Sequence, residues 1–476
     1  KITDKIAKFD IYDPNASADW FDPDWMFGVE TGFDIVIGNP PYIQLQKAFD
    51  KTKKYADLYI NQNYKTFDRM GDIYCLFYER GIQIAKDNGI ICYISSNKWM
   101  RAGYGEKLRQ FFNDYNPKIL IDLGPGVFEN ATVDTNILII QKAKNQHRLH
   151  AVTINEKKKD NIDFSTMLEK NGVILQNLSG DAWFIGSEAE QKLKEKIEHI
   201  GKPLKDWDVK IYYGIKTGFN EAFIIDNTKR QEILDNCKDE DERRRTENII
   251  KPILRGRDIK RYYYEWAGLW VIIAKFGFYK ESHLYPSIVQ HLTKYEEQLK
   301  NRGQCKYNRQ NKVNINKDYT GQHHWLELDN NPNENYLKEF EKEKVVWQRI
   351  TQAPTFCLVP PNVFVLDSMA FFTSREFPKY QMAILNSKLI YFYVNKIVHQ
   401  YGITGFRLSN QYVEIMPIPP ITSSNQPIVS QIESLVDKIL SSKKDNPQAD
   451  TCAWEKEIDQ LVYKLYDLTD EEIAII

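Results

Sequence analysis

The sequence predicts an α/β fold, in which a partial doubly wound sheet is followed by an α+β domain and a C-terminal pair of helices. In the first part of the chain, short apolar runs alternate with amphipathic segments, the pattern of a parallel sheet covered by helices. From residue 206 to 420 the chain is rich in aromatic residues and short strand-like runs, and its last part returns to helical periodicity. At 476 residues the chain exceeds what one core usually supports, so we expect about two to three domains.

The predicted elements of the first part alternate in type. They are strands at 33–38, 90–94, 118–123 and 137–140, and helices at 73–86 and 106–114. Gly38 ends the first apolar run, and Pro40 and Pro41 turn the chain into a loop. Asp72 can cap the first helix, and Asn88-Gly89 ends it. This rhythm is typical of a Rossmann-like sheet and predicts parallel strands.

The rhythm fades after about Lys144. Strand-like runs then lie at 222–225, 270–274, 345–347 and 362–366. Two helical stripes follow near the end, Ile432, Leu435, Val436 and Ile439, and then Ile458, Leu461, Val462 and Leu465. We therefore divide the chain into a sheet domain 1–150, a connecting segment 151–205, an α+β domain 206–425 and a helical pair 426–476 whose two helices pack together.

Composition excludes several classes of protein. Hydrophobic residues make up 42% and charged residues 27%, and no apolar run approaches the roughly 20 residues that cross a bilayer. We expect a cytoplasmic protein without a membrane partner. The six cysteines show no Cys-x-x-Cys spacing and the eight histidines no ligand pattern, so we expect no metal site and no disulfide framework.

Local charge rather than total charge is the feature that bears on a nucleic-acid partner. The net charge is −1, which gives no global attraction to a polyanion. Between Arg243 and Arg261, however, eight Lys or Arg residues face only Glu247 and Asp258, and three tyrosines follow. On charge alone, a solvated helix face and a nucleic-acid contact both remain open.

The sharpest chemical signal is Asn39-Pro40-Pro41-Tyr42, which follows the first predicted strand at the edge where such sheets bind ligands. The amide oxygen of Asn39 can accept a hydrogen bond from an amino group. Pro40 fixes its own φ and disfavours helix at Asn39, which holds the loop carbonyl in place. Tyr42 offers an aromatic face to a planar ring. The four residues suit an aromatic amine, although a simple proline-rich turn has the same letters.

The order of several motifs resembles one family, the TaqI-like adenine-N6 DNA methyltransferases, and more narrowly the methylase parts of type IIG restriction-modification enzymes. The matching runs of the first part are Asn39 to Tyr42, Gly71-Asp72-Ile73-Tyr74, Gly89 to Ile94 with Ser95, Asn97 and Trp99, Val127-Phe128-Glu129-Asn130, and Thr135 to Leu138. The resemblance implies a methyltransferase sheet that uses S-adenosyl-L-methionine. It implies catalysis by Asn39, Pro40, Pro41 and Tyr42, and stacking of an extruded adenine on Tyr42 and Phe128. For Phe128 an ordinary core position is the open alternative.

The second part resembles the target-recognition domain of the same family. The matching runs are Tyr213 to Phe223, Lys251 to Tyr262, Trp347 to Thr351, Leu385-Asn386-Ser387, Gly405-Phe406-Arg407 and Glu457 to Thr469. The implied partner is double-stranded DNA, contacted at phosphates or base edges. The residues that we expect to contact it are Lys216, Thr217, Lys251, Arg255, Arg257, Arg261 and Arg407. Arg255 and Asp258 can instead simply tie loops together.

The sequence departs from the family at the cofactor motif. No glycine-rich loop after a strand precedes Asn39, and Asp19 is the candidate acidic contact to the cofactor, with a solvated loop aspartate as the alternative. We expect the amino-terminal part of the methylase domain to be missing, and the chain alone to bind cofactor weakly and to transfer methyl groups poorly.

Type IIG relatives also carry an endonuclease domain, and we expect Mg²⁺ only for such a domain, which these residues do not include. Glu341-Lys342-Glu343-Lys344 has letters of that kind of site but lies in a charge-dense stretch, so we assign it nothing. Two alternatives stay open, a non-catalytic DNA-recognition module and a phage-defence methylase without a nuclease. The target sequence and the oligomeric state are not readable from the sequence.

Overall fold

The computed structural model describes residues 2–8, 10, 23–50, 53–128, 133–154, 162–176, 178–180, 182–306, 319–398, 400–401 and 405–476. The chain forms two compact units, Lys1–Glu188 and Ala189–Ile476. Within the described residues, no helix is both long and apolar enough to span a bilayer.

The first unit is built on one six-stranded sheet. Its strands are β1 (Phe33–Gly38), β2 (Ala85–Ser96), β3 (Asn116–Gly124), β4 (Thr135–Gln141), β5 (Leu149–Thr153) and β6 (Val173–Leu175). Its helices are α1 (Ile2–Ala7), α2 (Pro23–Phe27), α3 (Tyr55–Tyr59), α4 (Ile73–Ile84), α5 (Glu106–Asn113) and α6 (Phe164–Asn171). The strand order is β1-β2-β4-β3-β5-β6, so the described part of the sheet has β1 at one edge.

The sheet is mixed, not wholly parallel. β1 pairs parallel with β2, as the strand-helix rhythm predicts. β3 pairs parallel with β5, a strand that the sequence analysis does not predict. β4, in contrast, runs antiparallel to both β2 and β3. The physical reason is the short connection, residues 125–134, because a parallel crossover needs about a dozen residues or more, usually with a helix. The predicted α/β class is confirmed, and the expectation of uniformly parallel strands is wrong at β4 and also at β6, which pairs antiparallel with β5.

The helix α4 packs one face against the sheet. Tyr74, Tyr78 and Ile82 recur at the spacing of one helical face and are buried in the same core cluster as Ile91 of β2. The helix ends at Ile84, earlier than predicted, because β2 already starts at Ala85 and pairs there with Phe33. Asn88, at a left-handed φ of 67°, therefore lies inside the strand segment and not at a helix end.

The predicted connecting segment 151–205 is not a separate linker. β5 and β6 extend the first sheet through this segment, with Ala151 paired to Val173. The helix α7 (Glu188–Ile200) places Leu193 and Ile197 in the core of the second unit. The sequence did not predict these strands, because the segment is polar and each strand is only 3 or 5 residues long. The functional domain limits remain predictions.

The second unit combines small sheets with many short helices. Its strands are β7 (Lys202–Pro203), β8 (Val209–Tyr213), β9 (Ile224–Asp226), β10 (Ile250–Leu254), β11 (Leu269–Ile272), β12 (Lys344–Gln348), β13 (Ile350–Thr351), β14 (Phe356–Val359), β15 (Phe364–Val365), β16 (Met369–Ser374), β17 (Gln400–Tyr401), β18 (Gly405–Arg407) and β19 (Pro417–Ile418). Two sheets have four strands each, β15-β10-β11-β9 and β14-β12-β16-β8, and a third has the order β13-β18-β17.

The helices of the second unit after α7 surround these sheets. They are α8 (Asn220–Phe223), α9 (Asn227–Asp235), α10 (Glu240–Ile249), α11 (Phe278–Glu281), α12 (Pro286–Thr293), α13 (Glu296–Lys300), α14 (Gly303–Lys306), α15 (Glu334–Phe340), α16 (Pro378–Asn386), α17 (Lys388–Ile397), α18 (Asn410–Val413), α19 (Gln426–Asp445), α20 (Cys452–Leu465) and α21 (Asp470–Ile473). Residues 222–225, predicted as a strand, are split between α8 and β9. The two C-terminal stripes form α19 and α20, which pack together and share the core with β12 and β16.

Candidate functional site

The loop 39–42 emerges directly from the carboxyl end of β1. Asn39 and Pro41 are exposed, Pro40 is buried and Tyr42 is half-buried. The buried proline anchors the loop, while the amide of Asn39 stays accessible to a ligand. The structure thus presents the polar group at the strand end where the sequence predicts a site.

The start of α4 fixes the rest of the loop. The amide of Ile43 donates to the Asp72 carboxylate over 2.8 Å, and the amide of Ile73 donates back to the Ile43 carbonyl over 2.9 Å. The amide of Leu45 donates to the Gly71 carbonyl over 2.9 Å. Burial raises the pKa of Asp72, an effect that its backbone hydrogen bonds oppose. The sequence predicts Asp72 as the cap of this helix. Asp72 is the residue before α4, but its side chain makes no capping hydrogen bond and instead positions the loop.

Aromatic rings line the space beside Asn39. The ring centroid of Tyr42 lies 6.4 Å from that of Phe128 at an interplanar angle of 50°, and 6.4 Å from that of Tyr74 in an edge-on arrangement. Phe128 is half-buried, which is not the environment of the fully buried core phenylalanines Phe111 and Phe112. The structure therefore brings together the two rings that the resemblance assigns to base stacking.

Tyr42 also contacts Asn39 directly. Its hydroxyl donates to Oδ1 of Asn39 over 2.7 Å. Burial, and then the nearby Asp72 carboxylate, raise the pKa of Tyr42, so the hydroxyl stays a proton donor at neutral pH. A ligand amino group would take over this acceptor, replacing one hydrogen bond by another.

The other residues that carry the resemblance have structural partners. Ser95 accepts or donates within 2.9 Å of the Tyr78 hydroxyl, and Asn97 donates to the Asp122 carboxylate over 2.8 Å. Trp99 is fully buried among aromatic rings. These side chains hold the sheet and α5 together beneath the loop. Their contacts give no reason to assign them to a ligand.

Among the described residues, no glycine-rich loop follows a strand ahead of Asn39. β1 is the edge strand of the described sheet, and Gly28 and Gly32 precede it instead of following a strand. A Cβ on Gly32 would stand 2.6 Å from the Ile84 carbonyl oxygen, so this glycine serves close backbone packing. Asp19, the predicted cofactor contact, lies outside the described residues.

Two of the predicted DNA contacts sit in the loop after β8. Lys216 is partly exposed, and its ammonium lies 3.6 Å from the Asp329 carboxylate. Thr217 is only 3% exposed, its hydroxyl donates to Asn220 Oδ1 over 2.6 Å, and its carbonyl accepts from Arg302. Because this side chain is enclosed, Thr217 fixes the loop, and we remove it from the expected DNA contacts.

Arg255 and Arg261 are engaged in ion pairs. Arg255 lies 2.8 Å from Asp258, the loop-tying arrangement that the sequence left open. Arg261 lies 2.7 Å from Glu455 and donates to the Asn386 carbonyl over 2.6 Å. Both guanidinium groups therefore have structural duties that oppose a role as free phosphate contacts.

The remaining predicted contacts have charged side chains without an ion-pair partner in the described part of the chain. The side chains of Lys251, Arg257 and Arg407 have no hydrogen-bond or ion-pair partner among the residues that the structure describes. Arg257 and Arg407 are exposed, and Lys251 is partly exposed on β10. They remain predictions for DNA contact. In the described residues, no cluster of three or more His, Cys, Asp or Glu side chains is arranged to hold a metal ion.

Two stretches of the chain match known protein families. Residues 1–128 match the family model of the Eco57I restriction-modification methylase, and residues 251–418 match that of the TaqI-like C-terminal specificity domain. The first stretch is thus similar to a restriction-modification methylase, and the second is similar to a specificity domain. These matches confirm the resemblance that the motifs carry.

Individual relatives agree with this assignment. The chain is 29% identical over 204 residues to the type II restriction enzyme and methyltransferase RM.Eco57I of Escherichia coli, which covers 42% of this chain and 20% of that protein. It is 27% identical over 303 residues to the type II methyltransferase M.BstVI of Geobacillus stearothermophilus, which covers 58% of this chain and 50% of that protein. The chain thus spans half of these relatives or less.

A solved structure supports the fold at greater coverage. The type IIL restriction-modification enzyme MmeI in complex with DNA superposes with a TM-score of 0.63, at 12% sequence identity. The superposition covers 96% of this chain and 57% of the MmeI chain. At this identity the likeness establishes a shared fold that extends through both units of the sequence.

Proposed function

We propose that the chain supplies the base-binding and DNA-recognition parts of a DNA adenine-N6 methyltransferase in a restriction-modification system, with S-adenosyl-L-methionine as the methyl donor and double-stranded DNA as the partner. The observation that carries the proposal is the arrangement of Asn39 at the end of β1, accessible and flanked by the rings of Tyr42 and Phe128.

The chemistry of the amino group explains why these residues suit the reaction. The lone pair of adenine N6 is delocalised into the ring, so N6 is a poor nucleophile until acceptors hold its protons out of the ring plane. Oδ1 of Asn39 is such an acceptor. A second acceptor is the backbone carbonyl of the loop, which Pro40 and the Asp72 contacts hold in place. A buried Pro40 lets this geometry persist before the base arrives.

The base must leave the duplex to reach this loop, since N6 inside the helix cannot be approached from the required direction. Stacking on an aromatic side chain offsets part of the unstacking cost, about 1–3 kcal/mol per base. Tyr42 and Phe128 offer that surface, and Tyr74 supports the Tyr42 ring edge-on. Lys251, Arg257 and Arg407 of the second unit are the proposed phosphate or base contacts, and Lys216 is a weaker candidate because of Asp329.

The test compares methyl transfer by the complete protein and its Asn39→Ala variant, with tritiated S-adenosylmethionine and genomic DNA from a strain without the modification. We expect a loss of at least about 100-fold in rate, the size seen when one catalytic hydrogen-bonding group is removed. Sequencing of the modified DNA then identifies the methylated base and its context. Asn61→Ala is the control, since Asn61 is exposed and outside the loop.

The outcomes separate the proposal from its alternatives. Unchanged methylation in Asn39→Ala would remove the catalytic assignment. DNA binding without any methylation by the complete protein would identify a recognition module instead. Restriction of unmodified DNA by the same protein distinguishes a nuclease-bearing system from a methylase alone.

A further inference from the structure

A cavity lies at the end of β8 in the second unit, and of its lining residues the function proposed above uses only Lys216. Its volume is about 330 Å³, and its walls come from β8 and the loop after it, the segment 329–336 and Asn410 of α18. Pockets for small molecules occupy about 300–1,000 Å³, so this cavity has room for one base or nucleotide and excludes a duplex.

An exposed aromatic ring lines the cavity, and a guanidinium group packs against that ring. Tyr213 is 45% exposed, and the guanidinium carbon of Arg349 lies 4.4 Å from its ring centroid. The Tyr336 hydroxyl donates to the Tyr213 carbonyl over 2.8 Å, and Nη1 of Arg349 donates to the Asp367 carbonyl over 2.8 Å. These bonds hold the Tyr213 backbone and the Arg349 guanidinium group in place. A planar ring can stack on the exposed part of the Tyr213 ring.

Two side-chain amides in the wall have an oxygen atom without a hydrogen-bond partner among the described residues. Asn410 is 8% exposed, and its side-chain amide makes no hydrogen bond to any residue in the described ranges, with Oδ1 fully enclosed. Oδ1 of Asn331 is likewise enclosed and unpaired, while its Nδ2 donates to the Gln322 carbonyl over 3.3 Å. An enclosed unpaired amide lowers stability. Because the last torsion of Asn is broad, Asn410 can rotate either end toward the cavity without breaking a hydrogen bond.

Lys216 supplies a positive charge at the cavity. Lys216 lies 3.6 Å from Asp329, but Arg302 and His323 already hold this carboxylate at 3.4 and 3.0 Å. Lys216 is thus the third basic group around one acid, and it is the most exposed of the three. It can turn toward a phosphate at the cavity mouth while the Asp329 carboxylate keeps its other two partners.

We propose that this cavity is a specificity subsite that takes one nucleobase with an exocyclic amino group, stacked beside Tyr213, read by Asn410 and Asn331, with its phosphate toward Lys216. The unpaired atom of both amides is Oδ1, which is an acceptor. The two protons of an exocyclic amino group can satisfy both oxygens, whereas the pairing edge of thymine offers a single ring N–H. The proposal rests on the proposed function in one respect, since it takes bound DNA as the source of the base.

The first experiment measures binding of dAMP, dCMP and dTMP to the complete protein by ligand-observed NMR. We expect dAMP and dCMP to bind about 10-fold more tightly than dTMP. Asn410→Leu should remove this preference, and Tyr213→Leu should weaken all three nucleotides. Equal binding of dTMP, an unchanged preference in Asn410→Leu, or no binding at 10 mM, a concentration on the order of weak nucleotide affinities, would overturn the proposal.

Thermal unfolding separates recognition from a structural role. Removing an enclosed unpaired amide should raise the melting temperature of Asn410→Leu, by about 2–4 °C. Gln381→Leu is the matched control, because Gln381 is fully buried in α16 with both amide ends unpaired and does not line the cavity. It should gain stability and keep the nucleotide preference. A destabilised Asn410→Leu variant that binds normally indicates a structural amide and contradicts the inference.

Competition with duplex DNA identifies the source of the base. If DNA that contains the methylation site displaces dAMP, the base comes from bound DNA, and simultaneous binding overturns that part of the proposal in favour of a free nucleotide. The readout needs no methyl transfer. Failure of the Asn39→Ala test and failure of this inference are therefore distinguishable.

Discussion

Replacing Asp329 by asparagine should destabilise the second unit in a pH-dependent manner. The side chain of Asp329 is 6% exposed and faces Nε2 of His323 at 3.0 Å and Arg302 at 3.4 Å. Nδ1 of His323 lies 2.9 Å from the His324 carbonyl, so both ring nitrogens face oxygen acceptors, an arrangement that favours the doubly protonated imidazole. Burial lowers the pKa of His323, but the hydrogen bonds with Asp329, Cys305 and the His324 carbonyl outweigh it and raise the pKa to about 9.

The magnitude follows from that pKa. The difference between about 9 in the folded state and the usual 6.5 corresponds to about 3 kcal/mol. Because the pKa of His323 is raised in the folded state, its contribution to the free energy of unfolding is fully present below pH 6.5. This contribution is lost as the pH rises through about 9. Removing one member of a buried ion pair costs about 3–5 kcal/mol. The free energy of unfolding of Asp329→Asn should therefore fall below that of the wild type by several kcal/mol at pH 6, and by clearly less at pH 9.5.

Urea unfolding at half-unit pH intervals from 6 to 9.5, followed by tryptophan fluorescence, measures the difference between the two proteins. The control is Asp208→Asn, because Asp208 and Arg375 form an exposed pair, with side chains 62% and 80% exposed, that should contribute less than about 1 kcal/mol at every pH. A difference for Asp329→Asn that stays constant across this range, or grows with pH, would refute a protonated His323.

Three further predictions test other parts of the structure. Tyr42→Phe keeps the stacking ring and removes the hydrogen bond to Asn39, so methyl transfer by the complete protein should stay within about 10-fold of the wild type, whereas Tyr42→Leu should lose about 100-fold. Burial lowers the pKa of Lys344 to about 7, so this group adds stability as the pH rises from 7 to 10.5; urea unfolding of Lys344→Met should lack that rise. Arg257→Gln should reduce the slope of log affinity for DNA against log salt by about 0.9, with a normal melting temperature. Arg261→Gln, which loses the contact with Glu455, should instead lower the melting temperature.

The position of the loop 39–42 at the end of a strand was predictable from the sequence because it depends on local chemistry. An apolar run that ends at Gly38 before two prolines specifies a strand that breaks into a loop, and β1 ends at that residue. The approach of Phe128 to Tyr42 is a contact between distant segments, and only the family resemblance gave a signal for it. The role of Asp72 in holding Ile43 had no signal of its own, since a capping aspartate gives the same letters.

The direction of β4 and the DNA contacts were less accessible to sequence reasoning, for different physical reasons. An apolar strand reads the same in a parallel or an antiparallel pair, and only the short connection between Gly124 and Thr135 distinguishes them. Charge on Arg255 or Arg261 says nothing about whether a carboxylate from another segment neutralises it. Such partners come from tertiary structure, as Glu455 of α20 does for Arg261.

The residues proposed to bind the base all lie within the first unit. Asn39 and Tyr42 follow β1, Phe128 follows β3, and the start of α4 fixes the loop after β1. Ile35 and Ile37 of β1 project from one face of the sheet and are 63% and 77% exposed. The contacts that fix the loop come from other side chains, since Asp72 holds Ile43 and Tyr42 holds Asn39. A polar substitution at Ile35 or Ile37 should therefore leave the geometry at Asn39 intact, so loss of methyl transfer in such a variant and loss in Asn39→Ala would have separate physical causes.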